Sequence, residues 1–418
     1  ANVAEQTEHS INGGGLKFDY FSPNEKHRFN VFASAQHINR DSYYGGGQDP
    51  NAYGNTTDLN WMAGSQYVYS FGKCIFMPAD LTAGIEFNQD KLEDNMWGYH
   101  RTVDQKVNIG SAFFQNEWKN EHWGFLIGGR LDKHNLIDHV IFSPRANLRY
   151  NPTENINLRF SYSSGFRAPQ AFDEDLHVEN VGGNVAMVEL ADNLKEERSQ
   201  SLSASADIYH RFGAFQVNFL VEGFYTKLSD VFALTDGEVV DGILTRTRYN
   251  APGARVMGLT LEGKMAYLTK FQVQAGVTLQ QSHYSEPHVW NKEAPAVKKM
   301  MRTPNTYGYF TATYTPIKPL SIALSGTYTG SMLVPHEPVP GFLEKPITVN
   351  TKDFFDIGLK AAYDFKLYKS MNLQVNAGVQ NIFNAYQNDF DKGADRDSGY
   401  IYGPSLPRSF FAGVKISY

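Results

Sequence analysis

Apolar and polar residues alternate along most of this chain. In INLRFSY (156–162), Ile156, Leu158, Phe160 and Tyr162 are interleaved with Asn157, Arg159 and Ser161. In GLTLEGKMAY (258–267), Leu259, Leu261, Met265 and Tyr267 oppose Thr260, Glu262 and Lys264. In NLQVNAGVQ (372–380), Leu373, Val375, Ala377 and Val379 oppose Gln374, Asn376 and Gln380. SLSASADI, SIALSGTY and the final SFFAGVKISY repeat the pattern, the last with Phe410, Ala412, Val414, Ile416 and Tyr418 on one side. A period of two predicts strands with one apolar and one wetted face.

Soluble sandwiches also alternate. These runs, however, extend over roughly 10–15 residues, against about 5–6 in ordinary sheets and about 9–11 for a tilted membrane strand. The connections separate the possibilities further. Short ones at 22–26, 72–78, 120–121, 151–155, 211–213, 269–270, 315–319 and 367–370 alternate with long ones near 40–56, 91–103, 133–138, 167–195, 229–254, 285–303, 331–351 and 385–404. Tight turns on one rim and long loops on the other are the layout of an up-and-down outer-membrane barrel. Eight connections of each kind predict 17 antiparallel strands in an all-β transmembrane fold. The last connection is a long outer one, so the final strand runs inward and Tyr418 falls at the periplasmic rim. The first predicted strand, GLKFDYF (15–21), also runs inward. Single-chain bacterial barrels have even strand numbers, so further wall strands are expected before residue 1.

Composition narrows the class. Aromatics make up 14% of the 418 residues, with 29 Phe and 24 Tyr, and charged residues only 20%. The mean hydropathy of −0.41 and the absence of any run near 18 apolar residues exclude a helical membrane protein. A net charge of −6 offers no basic footprint for nucleic acid. Cys74 is the single cysteine, so no disulfide framework or Cys-based metal site exists. The start ANVAEQTEHS has neither the basic region nor the apolar core of a signal peptide. Neither G-x-S-x-G nor H-E-x-x-H occurs, and no enzyme is expected.

Four stretches resemble the C-terminal part of TonB-dependent outer-membrane transporters, particularly those of Bacteroidetes. They are GFRAP (165–169), NLKEERS (193–199), AGVQNIFNAYQ (377–387) and the closing YGPSLPRSFFAGVKISY (402–418), in the family's order. The resemblance implies a barrel of 22 strands around a plug, of which this chain would supply 17 without the plug. It implies active uptake of a scarce nutrient, an iron chelate (siderophore or haem) foremost. Cobalamin or oligosaccharide uptake and a passive porin-like channel are the alternatives. Implied partners are TonB-ExbB-ExbD acting through the plug, outer-membrane lipid and lipopolysaccharide, the barrel assembly machinery and a surface lipoprotein. Phe410, Gly413, Ile416 and Tyr418 would form the assembly signal.

Candidate binding residues lie in the outer connections. Arg167 follows a strand end fixed by Pro169, and its guanidinium suits either an anionic substrate or a tie between wall and loop. His177 stands between the GFRAP and NLKEERS boxes, where haem receptors of the family similarly carry a histidine. Tyr43, Tyr44 and Trp290 are aromatics that could stack on a flat ligand or sugar or mark the outer aromatic girdle, with loop packing preferred for Trp290. Lys298, Lys299 and Arg302 could attract an anionic chelate or lipopolysaccharide. Asp389, Asp391, Asp395 and Asp397 around Gly393 form a candidate structural Ca²⁺ site, since that ion takes six to eight oxygens. No other cofactor is expected.

Overall fold

The structure is a computed structural model that describes all residues except 1, 2, 47, 48, 182, 183, 236, 241, 369 and 394. Among the described residues, seventeen long strands form the wall. The first eight are β1 (Val3–Phe21), β2 (His27–Gly46), β3 (Tyr53–Cys74), β4 (Met77–Met96), β5 (Arg101–Lys119), β6 (Trp123–His134), β7 (Ile141–Thr153) and β8 (Ile156–Arg167). There follow β9 (Glu197–Phe212), β10 (Phe215–Leu234), β11 (Ile243–Tyr267), β12 (Phe271–His288) and β13 (Thr306–Ile317). The last are β14 (Leu320–Thr329), β15 (Phe354–Tyr368), β16 (Met371–Gln380) and β17 (Ser409–Ser417). Each pairs antiparallel with the next, in chain order throughout. Among the described residues β1 pairs only with β2 and β17 only with β16, so the sheet has two open edges.

Burial is inverted relative to a water-soluble protein. Leu16, Phe18, Ile85, Phe114, Ile127, Phe160, Phe219 and Val414 are exposed on one face, while Thr56, Asp94, Ser111, Asp132, Thr278 and Ser282 are buried on the other. An apolar exterior around a polar interior is what lipid outside and a lumen inside demand. Lumenal side chains satisfy one another: Arg130 donates to Glu86 at 2.9 Å, to Asp132 at 2.8 Å and to Ser111 at 2.7 Å.

The strands run well past their expected lengths. β2, β3 and β4 have 20, 22 and 20 residues, and β11 has 25. The outer connections expected at 40–56, 91–103 and 229–254 therefore shrink to 47–52, 97–100 and 235–242. Above the lipid both faces of a hairpin meet water, so the apolar alternation fades, yet every N–H and C=O still needs a partner and the ladder continues. At the tip a Cβ on Gly98 would stand 1.8 Å from the Asn51 carbonyl oxygen, so only glycine lets the two neighbouring tips meet. The long outer segments are 168–196, 289–305, 330–353 and 381–408. Asn184–Leu190 even joins the wall as a parallel strand beside Ile243–Arg248.

In β17, Phe410, Val414 and Ile416 share one face and are exposed, as are Lys415 and Ser417 on the other face of this edge strand. Gly413 lies opposite Asn376, and Tyr418 extends past the strand, wholly exposed.

Candidate substrate-binding cleft

The segment after β8 carries a single turn of helix, α1 (Asp173–Leu176), whose three carboxylates all meet arginines of the wall. Arg40 from β2 donates to Asp173 at 2.6 Å, and Arg167 at the end of β8 donates to Glu174 at 2.6 Å. Arg248 from β11 donates to the same Glu174 oxygen at 3.1 Å and pairs with the buried Asp175. Asp175 is held in turn by the Phe172 backbone N–H at 2.9 Å. The Arg167 guanidinium lies 4.0 Å from the Phe172 ring centre, and Phe232 packs against both Arg167 and Arg248. Burial alone would raise the Glu174 carboxyl, but hydrogen bonds and charge from Arg167 and Arg248 hold it below its ordinary value.

Beside this turn opens a cleft of about 470 Å³. Its lining includes Arg167, Glu174, His177, Arg246, Arg248, Tyr284, His288, Trp290 and Glu337. Arg246 donates to Glu337 at 2.7 Å, and Asn291 donates to the second Glu337 oxygen at 2.9 Å. Trp290 is only 8% exposed, and its indole N–H has no acceptor; the Nε–H groups of Arg246 and Arg248 also lack one. A larger hollow of about 830 Å³ lies on the apolar outer side, among Phe160, Leu202, Met257, Leu259 and Leu279. With no charged lining it suits an acyl chain, not a polar ligand.

Three of the five binding candidates thus converge, because Arg167, His177 and Trp290 share one cleft. The tyrosines do not stand free. Tyr44 is 6% exposed, packed with Ala52, Met96, Tyr99, Val178 and Met187, and its ring meets the His177 ring edge-on at 5.0 Å. Tyr43 packs against that cluster and against Tyr53 at 4.8 Å. Both belong to β2 and not to a loop, and in that prolonged strand Tyr44 meets His177, Val178 and Met187 of the segment after β8. Arg302 donates to the Ile401 and Gly399 carbonyls, which ties one outer loop to another.

The aspartates of 381–408 serve separate partners. Asp389 accepts from Tyr400 and Tyr402, Asp391 from His336 at 2.8 Å and Asp397 from the backbone N–H groups of Glu337 and Gly399. Among the described residues no group of three His, Cys, Asp or Glu side chains that could hold a metal ion is assembled. Sequence reading missed Arg246, Arg248, Phe232, Tyr284, His288 and Glu337. The available signal was TRTRYN (245–250), in which two arginines share one parity inside a stretch read as loop.

His177 is not a solvated loop histidine. Its Nε2 lies 3.3 Å from Glu5 at the outer end of β1. That bond raises the imidazole above its ordinary 6.5, and the same bond lowers Glu5 below 4.5. The raised group stabilises at low pH and loses its effect as pH rises through its folded value; the lowered group does the reverse. The tie is therefore strongest between those two values. NMR titration of labelled histidines should place His177 above 6.5 in the wild type and nearer 6.5 in Glu5→Gln. A wild-type midpoint at or below 6.5 would contradict the pair.

A family model described as TonB dependent receptor-like, beta-barrel, matches residues 4–382. The chain belongs to the TonB-dependent receptor family. Solved structures of receptors agree in fold. The siderophore receptor PirA from Acinetobacter baumannii has a TM-score of 0.72 at 15% identity, over 98% of this chain and 62% of that one. A ferric enterobactin receptor (PfeA) structure from Pseudomonas aeruginosa has a TM-score of 0.72 at 17% identity, over 98% and 61%. The ferric citrate transporter FecA has 0.69 at 14% identity, over 98% and 62%. This TonB-dependent receptor chain thus spans less than two thirds of the length of these structures. No curated protein matches it in sequence.

Proposed function

We propose that this chain forms most of the wall of an outer-membrane TonB-dependent transporter that takes up an iron chelate. On this reading a plug and the remaining wall strands complete the barrel, TonB-ExbB-ExbD supplies the energy through the plug, and β17 with Phe410, Gly413, Ile416 and Tyr418 is read by the barrel assembly machinery. The observation that carries the reading is the cleft at the outer rim, where Arg167, Arg246 and Arg248 stand among Phe232, Tyr284 and Trp290. Guanidinium groups bind carboxylate and catecholate oxygens, and aromatic rings cover a flat chelate ring. A siderophore is favoured over haem because the His177 Nε2 faces Glu5 and is not presented free to an iron.

A strain lacking the gene should lose growth on one or more ferric chelates as sole iron source, and the purified full-length receptor should bind the same chelate. Growth lost only on cobalamin or on a glycan would assign the cargo to those classes and overturn the iron reading. Equal growth on every source, with ion conduction in planar bilayers, would favour a passive channel. Within the cleft, Arg246→Ala should weaken chelate binding by about tenfold, the loss of one charge-assisted hydrogen bond. Titration calorimetry measures it, and unchanged affinity would remove Arg246 from the site.

A further inference from the structure

Charge in the cleft is balanced, which is odd for a site that takes an anion. Arg167 and Arg248 share one oxygen of Glu174, and Arg246 is engaged by Glu337. The two carboxylates of α1 that meet Arg248 differ in kind. Asp175 is buried and fixed by the Phe172 N–H, so it anchors Arg248. Glu174 is 56% exposed and lines the cleft, so it is within reach of a competitor. Around it, the more than nine-tenths buried Arg248 and Trp290 each keep an N–H without an acceptor.

We propose that Glu174 is a specificity-determining residue: its carboxylate occupies the oxyanion position between Arg167 and Arg248, and cargo enters by exchanging an anionic oxygen for it. The proposal rests on the iron-chelate reading above and deepens it. Physically, the guanidinium pair is never left bare, which would cost more than an exposed ion pair returns. The exchange also sets a filter. A neutral ligand cannot compensate two arginines when Glu174 leaves, whereas an anionic chelate can. Asp173, which pairs with Arg40 and does not line the cleft, serves as the control for simple loss of negative charge.

The test uses the full-length receptor in detergent, with a ferric tricatecholate as anionic probe and a ferric trihydroxamate as neutral probe. Removing the competitor in Glu174→Gln should tighten the tricatecholate by about tenfold, the equivalent of one displaced ion pair. The trihydroxamate and the Asp173→Asn control should show no such gain. Glu174→Ala, which also removes the side-chain oxygen, should tighten the anionic probe in the same direction. Heat-modifiable migration on gels verifies that each variant is folded. Tricatecholate affinity that is unchanged or weaker in both Glu174 variants, with the wild type binding normally, overturns the exchange and leaves Glu174 as a residue that positions the arginines. Absence of binding by wild type and variants alike overturns the iron-chelate reading, and the exchange with it.

Discussion

Replacing Asp94 by leucine is expected to destabilise the outer half of the barrel by about 3–5 kcal/mol, the range for removing one partner of a buried ion pair. Asp94 is 1% exposed and is the carboxylate between two buried arginines. It accepts from Thr56 at 2.6 Å and from Arg101 at 3.4 Å, and Arg40 approaches to 4.0 Å. Burial already pushes the Arg101 guanidinium below its ordinary value, with Asp94 as the leading opposing influence. Without that carboxylate, two cations from adjoining hairpins face each other in a place water does not reach. Asp94→Asn keeps an acceptor oxygen for Thr56 and should cost less. The folded-to-unfolded band transition on semi-native gels, run against temperature, measures both. An unaltered transition for the leucine variant would show that water reaches this network.

Placing a charge on the lipid face should be the second large effect. Ile127 is 58% exposed, lies in β6 and points away from the lumen. It is four residues beyond Trp123, the strand's first residue near the periplasmic turn at 120–122, or about 13 Å along the strand. With the strand tilted by about 40°, this places it about 10 Å deep, towards the middle of an apolar band about 25 Å tall, where an arginine costs about 2–4 kcal/mol. Ile127→Arg should therefore lower the denaturant midpoint of the barrel refolded in lipid vesicles, while Ile127→Val should hardly move it. Equal midpoints would mean that this face does not meet lipid.

Much of the wall was legible because its signal is local. Parity places Phe160 and Ile416 on the apolar face of their strands, and both are exposed in the structure. Pro169 marked the end of β8, which stops at Arg167. Legibility failed where lipid no longer selects the outer face. Tyr43 and Tyr44 were read as loop aromatics because the alternation around them is polar on both sides, yet they lie on a ladder that runs to Gly46. Arg246 and Arg248 were hidden for the same reason within the prolonged β11. Nothing local to Asp173, Glu174 and Asp175 indicates that Arg40 and Arg248 meet them.

The number, order and direction of the wall strands, and the side of each that faces lipid, follow from the sequence by itself. A strand's two faces are set by adjacent residues, and a bilayer requires one of them to be apolar over its whole thickness. Which charges meet inside the rim was decided only by the tertiary structure. Arg40 reaches Asp173 across 133 residues and Arg246 reaches Glu337 across 91. Such pairs depend on how long loops fold back over a curved sheet of strands, and no period along the chain encodes that distance.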